Sequence, residues 1–136
     1  MAADGTVEDR AVSDGTVAEV MALFADYARH LDLKRDPDAW AGLFTPDGSL
    51  VTSDRQITGT TELRAFAAGS LPGVHVQSVP WLQARPDGGL DAVTSFIFMT
   101  VQTHDFRSGY YTDRLVRRHE RLVFASRQIS MLTRTD

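Results

Sequence analysis

The chain has 136 residues, which gives room for one domain and one core, with 43% hydrophobic and 24% charged residues, as in soluble globular proteins. The formal net charge of -4 argues against a phosphate-backbone partner, and the absence of cysteine excludes disulfides, thiolate metal sites and cysteine nucleophiles. No apolar run reaches the ~18 residues of a membrane span, and no basic-then-apolar signal opens the chain, so the expected location is cytoplasmic.

Residues 1 to about 12 (MAADGTVEDRAV) are small, polar and acidic and read as a disordered leader, leaving 13–136 as a single domain. Thr16 followed by Glu19 has the spacing of a capping box and is expected to open the first helix. Val17, Val20, Met21, Phe24, Tyr27, Ala28 and Leu31 then form one apolar stripe at helical period. Asp36-Pro37 starts a short second helix through Trp40, Leu43 and Phe44, which the turn residues Thr45-Pro46-Asp47-Gly48 should stop. Leu50 to Ser53 is a short strand candidate, and Thr60 to Ala68 a third helix closed by Gly69.

From Val74 the hydrophobic period changes to two. Four long strands are expected over Val74–Arg85, Leu90–His104, Gly109–His119 and Leu122–Leu132, with Pro80 marking an edge or a bulge. Helices first and an antiparallel meander last is an α+β pattern. A sheet of such long strands must bend, and the first helix is long enough to cover its concave side, enclosing a pocket.

Asp32 lies on the shoulder of the apolar stripe, at the negative end of the first helix. A carboxylate there either snorkels past the helix end or recruits a cationic partner. Of the four histidines, His75 alone opens a strand in an apolar stretch, alternating with Gln77, Val79 and Trp81. A carboxylate with an imidazole makes a general base near neutral pH, but a strand histidine can equally be a half-buried structural residue. Tyr27, at the other margin of the stripe, either donates its hydroxyl to an oxyanion or packs in the core. Arg127 shares a face with Val123, Ala125, Ile129 and Met131, so it reaches solvent past its packed stem or enters the pocket as a clamp. Asp113 and Tyr111 share a face of the third long strand, as pocket groups or cross-strand partners. Phe24, Trp40, Trp81 and Phe98 are candidate pocket or core residues. Thr100 is the nearest candidate for a mid-sheet polar partner. No two histidines stand at ligand spacing, so no metal is expected.

Two stretches carry a resemblance. The segment from Tyr27 through Asp32 and on through Asp36-Pro37-Asp38-Ala39-Trp40 to Phe44-Thr45-Pro46-Asp47-Gly48 resembles the opening of SnoaL-like proteins. Gly109-Tyr110-Tyr111-Thr112-Asp113-Arg114, with Phe124-Ala125-Ser126-Arg127, is similar to that family's closing signature. The resemblance spans roughly residues 16–132. It implies an NTF2-like cone-shaped α+β barrel, with N-terminal helices on a curved, mostly antiparallel mixed sheet. It also implies an apolar pocket, no cofactor and a homodimer formed through the sheet. In the dehydratase-like branch, an Asp at the Asp32 position charges a His at the His75 position as base, with Tyr27 and Arg127 at matching positions. The function so implied is a cofactor-independent lyase or isomerase, dehydratase- or cyclase-like, acting on a small hydrophobic cyclic molecule of steroid, terpenoid or polyketide type. Neither nucleic acid nor membrane is an expected partner. The alternative is a noncatalytic small-molecule-binding or assembly domain, since fold alone does not fix function.

Overall fold

A computed structural model describes residues 12–132, so almost all of the expected leader lies outside the described residues. Helix α1 runs from Asp14 to Asp32, capped by Ser13, whose Oγ accepts from the Thr16 backbone N–H at 3.1 Å. This corrects the expected capping box at Thr16. Glu19 does not fold back onto the helix end but reaches across to Arg117, at 2.8 Å. The buried face is Val20, Leu23, Phe24, Tyr27 and Leu31, a stripe rotated to take in Leu23 and leave Met21 half in solvent.

Helix α2 (Pro37–Ala41) opens as expected, with Asp36 accepting from the Ala39 N–H and proline in the first turn. It stops earlier than expected, because Phe44 already belongs to strand β1 (Phe44–Val51). Thr45-Pro46-Asp47-Gly48 is therefore not a terminating turn but an irregularity inside β1. The register on the neighbouring strand jumps from Phe44 opposite Phe124 to Ser49 opposite Ser126. Four turn-forming residues are looped out of a strand that continues on both sides. Strand β2 (Gln56–Thr58) folds back antiparallel on β1, and helix α3 (Thr60–Ala68) follows, with Gly59 at φ 90 before it.

The expected strand from Val74 to Arg85 is two: β3 (Gly73–Gln77) and β4 (Trp81–Ala84), both antiparallel to β5. Pro80 lies in the break. Strands β5 (Leu90–Thr100), β6 (Phe106–Arg118) and β7 (Arg121–Met131) complete the meander. The β5–β6 turn falls at residues 101–105, so β5 is shorter than expected and β6 starts three residues earlier.

The sheet has seven strands in the order β2-β1-β7-β6-β5-β3, with β4 also on β5. All pairs are antiparallel except β1 with β7. The bent sheet stays open, with β2 at one edge and β3 and β4 at the other. The helices lie against one face, and between them the core gathers Val20, Trp40, Leu50, Leu63, Leu115 and Phe124. The inward residues of β5 are Leu90, Ala92, Thr94, Phe96 and Phe98; those of β6 include Tyr111, Asp113 and Leu115. No described helix is long and apolar enough to cross a membrane.

Candidate active site

Strand β3 is an edge strand, so the N–H of His75 points away from β5 and needs another acceptor. Asp32, the last residue of α1, supplies it. Its Oδ2 accepts the His75 backbone N–H at 2.7 Å, and its Oδ1 lies 2.8 Å from the ring Nδ1 of the same histidine. One carboxylate thus holds both the backbone and the ring, which fixes the imidazole in position and orientation. Only 9% of the Asp32 side chain and 12% of the His75 side chain remain accessible. With Nδ1–H donating to Asp32, Nε2 is the ring nitrogen left to accept a proton. The ring is held on two further sides, by Phe98 at 4.5 Å between centroids and by the edge of Tyr27 at 6.1 Å.

His75 lines a cavity of about 480 Å³ between the helices and the inward face of the sheet. That volume is within the range that holds one small organic molecule. Its walls are largely aromatic and aliphatic, with Tyr27, Tyr111, Phe66, Phe96 and Phe98 among them. Its polar groups include the β1–β2 turn residues Thr52, Asp54 and Arg55, together with Arg107 on β6.

Behind Tyr27 and Tyr111 lies a buried ion pair. Arg127 is wholly inaccessible and donates through Nε and Nη2 to the two carboxylate oxygens of Asp113, at 2.7 and 2.8 Å. Its guanidinium carbon sits 3.7 Å from the ring centroid of Tyr111, 4.4 Å from Tyr27 and 4.5 Å from Phe124. Nη1 has no hydrogen-bond partner, and aromatic faces surround it instead. Arg127 therefore neither reaches solvent nor enters the cavity, which corrects both expectations for it. Asp113 is its partner rather than a cavity group. Burial pushes the Asp113 carboxyl up from the ordinary range, against the pull of Arg127. Burial also raises the Tyr27 phenol, opposed by the Arg127 charge, and raises Tyr111 well above its usual value, so both hydroxyls stay protonated as donors at neutral pH.

Trp81 and Thr100 do not line this cavity, and of the pocket-or-core candidates Trp40 and Phe24 take the core. Trp81 is 57% exposed on the outer face of the sheet, opposite Val93. The break at Ser78–Pro80 shifts the alternation, so Trp81 does not continue the inward row of His75 and Gln77. Thr100 ends β5, and its hydroxyl is bonded to Thr103 and to the Asp105 N–H in the turn. Trp40 is fully buried, packed on Tyr27, Phe44 and Phe66 behind the cavity wall. Phe24 stacks on Phe124 in the core and faces a separate hollow of about 320 Å³, which also touches His75. Conversely, Arg55 and Arg107 line the cavity without having been singled out from the sequence. Among the described residues no group of three or more His, Cys, Asp or Glu is arranged to hold a metal ion.

Helices laid over one face of a bent, mostly antiparallel mixed sheet, with a cavity between the layers, define an NTF2-like, cystatin-like fold. The chain belongs to the SnoaL-like domain family, whose pattern matches residues 15–128. A search of curated proteins finds no match. Among solved structures, it is similar to ActVI-ORFA from Streptomyces coelicolor, at 24% identity and a TM-score of 0.73, covering 86% of this chain and 97% of that one. It is also similar to a putative scytalone dehydratase from Novosphingobium aromaticivorans, at 18% identity and a TM-score of 0.76, covering 98% and 89%. A third is an NTF2-like protein with a cystatin-like fold from the same organism, at 17% identity and a TM-score of 0.75, covering 85% and 80%. At these identities the likenesses show the shared fold.

Proposed function

We propose that the protein is a cofactor-independent lyase or isomerase that removes a proton beside a carbonyl of a small hydrophobic cyclic substrate. The observation that carries this reading is the two-point hold of Asp32 on His75 at the wall of the cavity. His75 Nε2 takes the α-proton, Asp32 stabilises the imidazolium, and Tyr27 donates to the oxygen that becomes an enolate. In a dehydration, the enolate electrons form the new C=C bond as the β C–O bond breaks. The imidazolium proton then leaves with the hydroxide as water, and His75 returns to its neutral form. Similarity to a structure described as a putative scytalone dehydratase supports water loss as the first chemistry to test.

The test substrate is 3-hydroxy-1-tetralone, a bicyclic β-hydroxy ketone that yields fluorescent 1-naphthol after loss of water and tautomerisation. Saturable 1-naphthol formation by the native protein, reduced to background in His75→Ala, is the expected result. Equal rates in the two proteins would remove His75 from the reaction. One observation favours the noncatalytic alternative: Asp32 Oδ2 also satisfies an edge-strand N–H, a purely structural duty. Retention of the bond to the backbone with no turnover of any cyclic ketone would leave a binding or assembly domain.

We further propose a homodimer joined through the outer sheet face. Val76, Trp81, Val93, Ile97 and Tyr110 stand exposed there, on strands that neighbour one another across β5. Contiguous apolar surface of this kind is a common mark of an interface. Sedimentation should give a dimer for the native protein and a monomer for Ile97→Glu/Trp81→Arg with an unchanged circular dichroism spectrum. A native monomer at high concentration would contradict it.

A further inference from the structure

We infer that the cavity takes an amphipathic anion, a hydrophobic ring system bearing a carboxylate or equivalent anionic group, with Arg55 and Arg107 holding the charged end. The inference deepens the functional reading above, because it places the ring against the aromatic wall beside His75.

Two arginines from unconnected elements converge on one cavity. Arg55 comes from the turn between β1 and β2, and its guanidinium lies 5.9 Å from the ring centroid of Phe66, itself a wall residue. Arg107 comes from the start of β6, opposite Phe98 of β5, and falls on the inward row with Gly109, Tyr111 and Asp113. Among the described residues neither arginine forms an ion pair; Arg35, Arg114, Arg118 and Arg121 have none either, but those four do not line the cavity. The acid nearest in sequence is Asp54, which also lines the cavity. Its Oδ1 accepts instead from the Thr52 hydroxyl at 2.9 Å, in a turn closed by the Arg55 N–H bonding to that same hydroxyl. The lining thus carries two positive charges against one negative, in a chain whose net charge is -4. An arginine fork presents paired N–H donors suited to a carboxylate, and the apolar wall gives the remainder of the molecule a dry seat. A neutral ligand would fill the wall and leave both guanidinium groups to water.

The test compares 2-naphthoate with 2-naphthamide, which share size and ring and differ in charge, by isothermal titration calorimetry. The native protein should bind the naphthoate about tenfold or more tightly than the amide, the scale of one charge-assisted hydrogen-bonded contact. Arg55→Gln/Arg107→Gln should bring the two affinities within about twofold by weakening only the naphthoate. Equal or absent binding by the native protein, or a preference that survives in the double variant, would overturn the inference. Naphthoate preference with no turnover of any cyclic ketone, neutral or carboxylated, upholds the anion site and removes the lyase reading; turnover lost in His75→Ala without naphthoate preference upholds the lyase reading and removes the anion site.

Discussion

Asp32→Asn is expected to slow 1-naphthol formation from 3-hydroxy-1-tetralone by about 10²–10⁴-fold, the span associated with a positioned general base. The reason is a conflict of donors. Asp32 accepts twice from His75, once at the backbone N–H and once at Nδ1. An amide offers one acceptor and one donor in the same place. If its oxygen faces the backbone N–H, its NH₂ faces Nδ1, which must then give up its hydrogen; Nε2 becomes the protonated nitrogen and cannot act as base. If the amide turns over, Nδ1–H is satisfied, but a donor is driven against the His75 N–H on an edge strand with no other partner. The first outcome costs activity, and the second costs about 1–3 kcal/mol of stability for an unsatisfied buried donor. Kinetics and urea denaturation on one variant separate the two. A variant with native rate and native stability would mean that the pair has neither role.

Arg127→Met should destabilise the fold by about 3–5 kcal/mol, the cost of leaving a buried carboxylate without its counter-charge. Asp113 would then sit among Tyr27, Tyr111 and the core with no cation to balance it. Arg127→Lys should not restore the loss, because an ammonium cannot make the bidentate contact or lie flat on the Tyr111 ring. Arg127→Met/Asp113→Leu should recover most of it by removing both charges together. Chemical denaturation of the three variants decides the matter. A single variant within about 1 kcal/mol of the native protein would show the pair to be energetically idle, in conflict with its complete burial.

Much of the architecture is legible because periodicity is a local property. The helical repeat from Val17 to Leu31 and the change to period two after Val74 are enough for helices followed by an antiparallel sheet. Errors arise where a local signal has two outcomes. Thr45-Pro46-Asp47-Gly48 has turn composition whether it ends an element or bulges within one, and only pairing with β7 decides. The break at Ser78–Pro80 is marked by Pro80, but its effect on alternation, which sends Trp81 outward, depends on how each half registers on β5.

The candidate site divides in the same way. Helix angle places Asp32 on the shoulder of the buried stripe, and strand parity places His75 inward with Gln77. Their meeting depends on β3 being an edge strand, which no single segment encodes. Arg127 is ambiguous because strand parity groups it with Val123 and Ala125, whereas the register shift beside Ala125 turns it to the inward face with Phe124, where four aromatic rings and Asp113 enclose it. Arg107 falls in the turn expected over Asp105–Ser108, although it shares parity with Tyr111 once β6 begins at Phe106. Arg55 lies in a short polar turn whose sequence does not say which way it faces.

Proton removal by His75 can be isolated from every step that follows it. 1-Tetralone has an acidic hydrogen beside its carbonyl but no β leaving group, so exchange of that hydrogen in heavy water, followed by proton NMR, reports the base alone. Exchange is expected well above the buffer rate with the native protein and at the buffer rate with His75→Ala. Exchange equally fast in His75→Ala, or none above buffer in the native protein at saturating ketone, would contradict proton removal by His75.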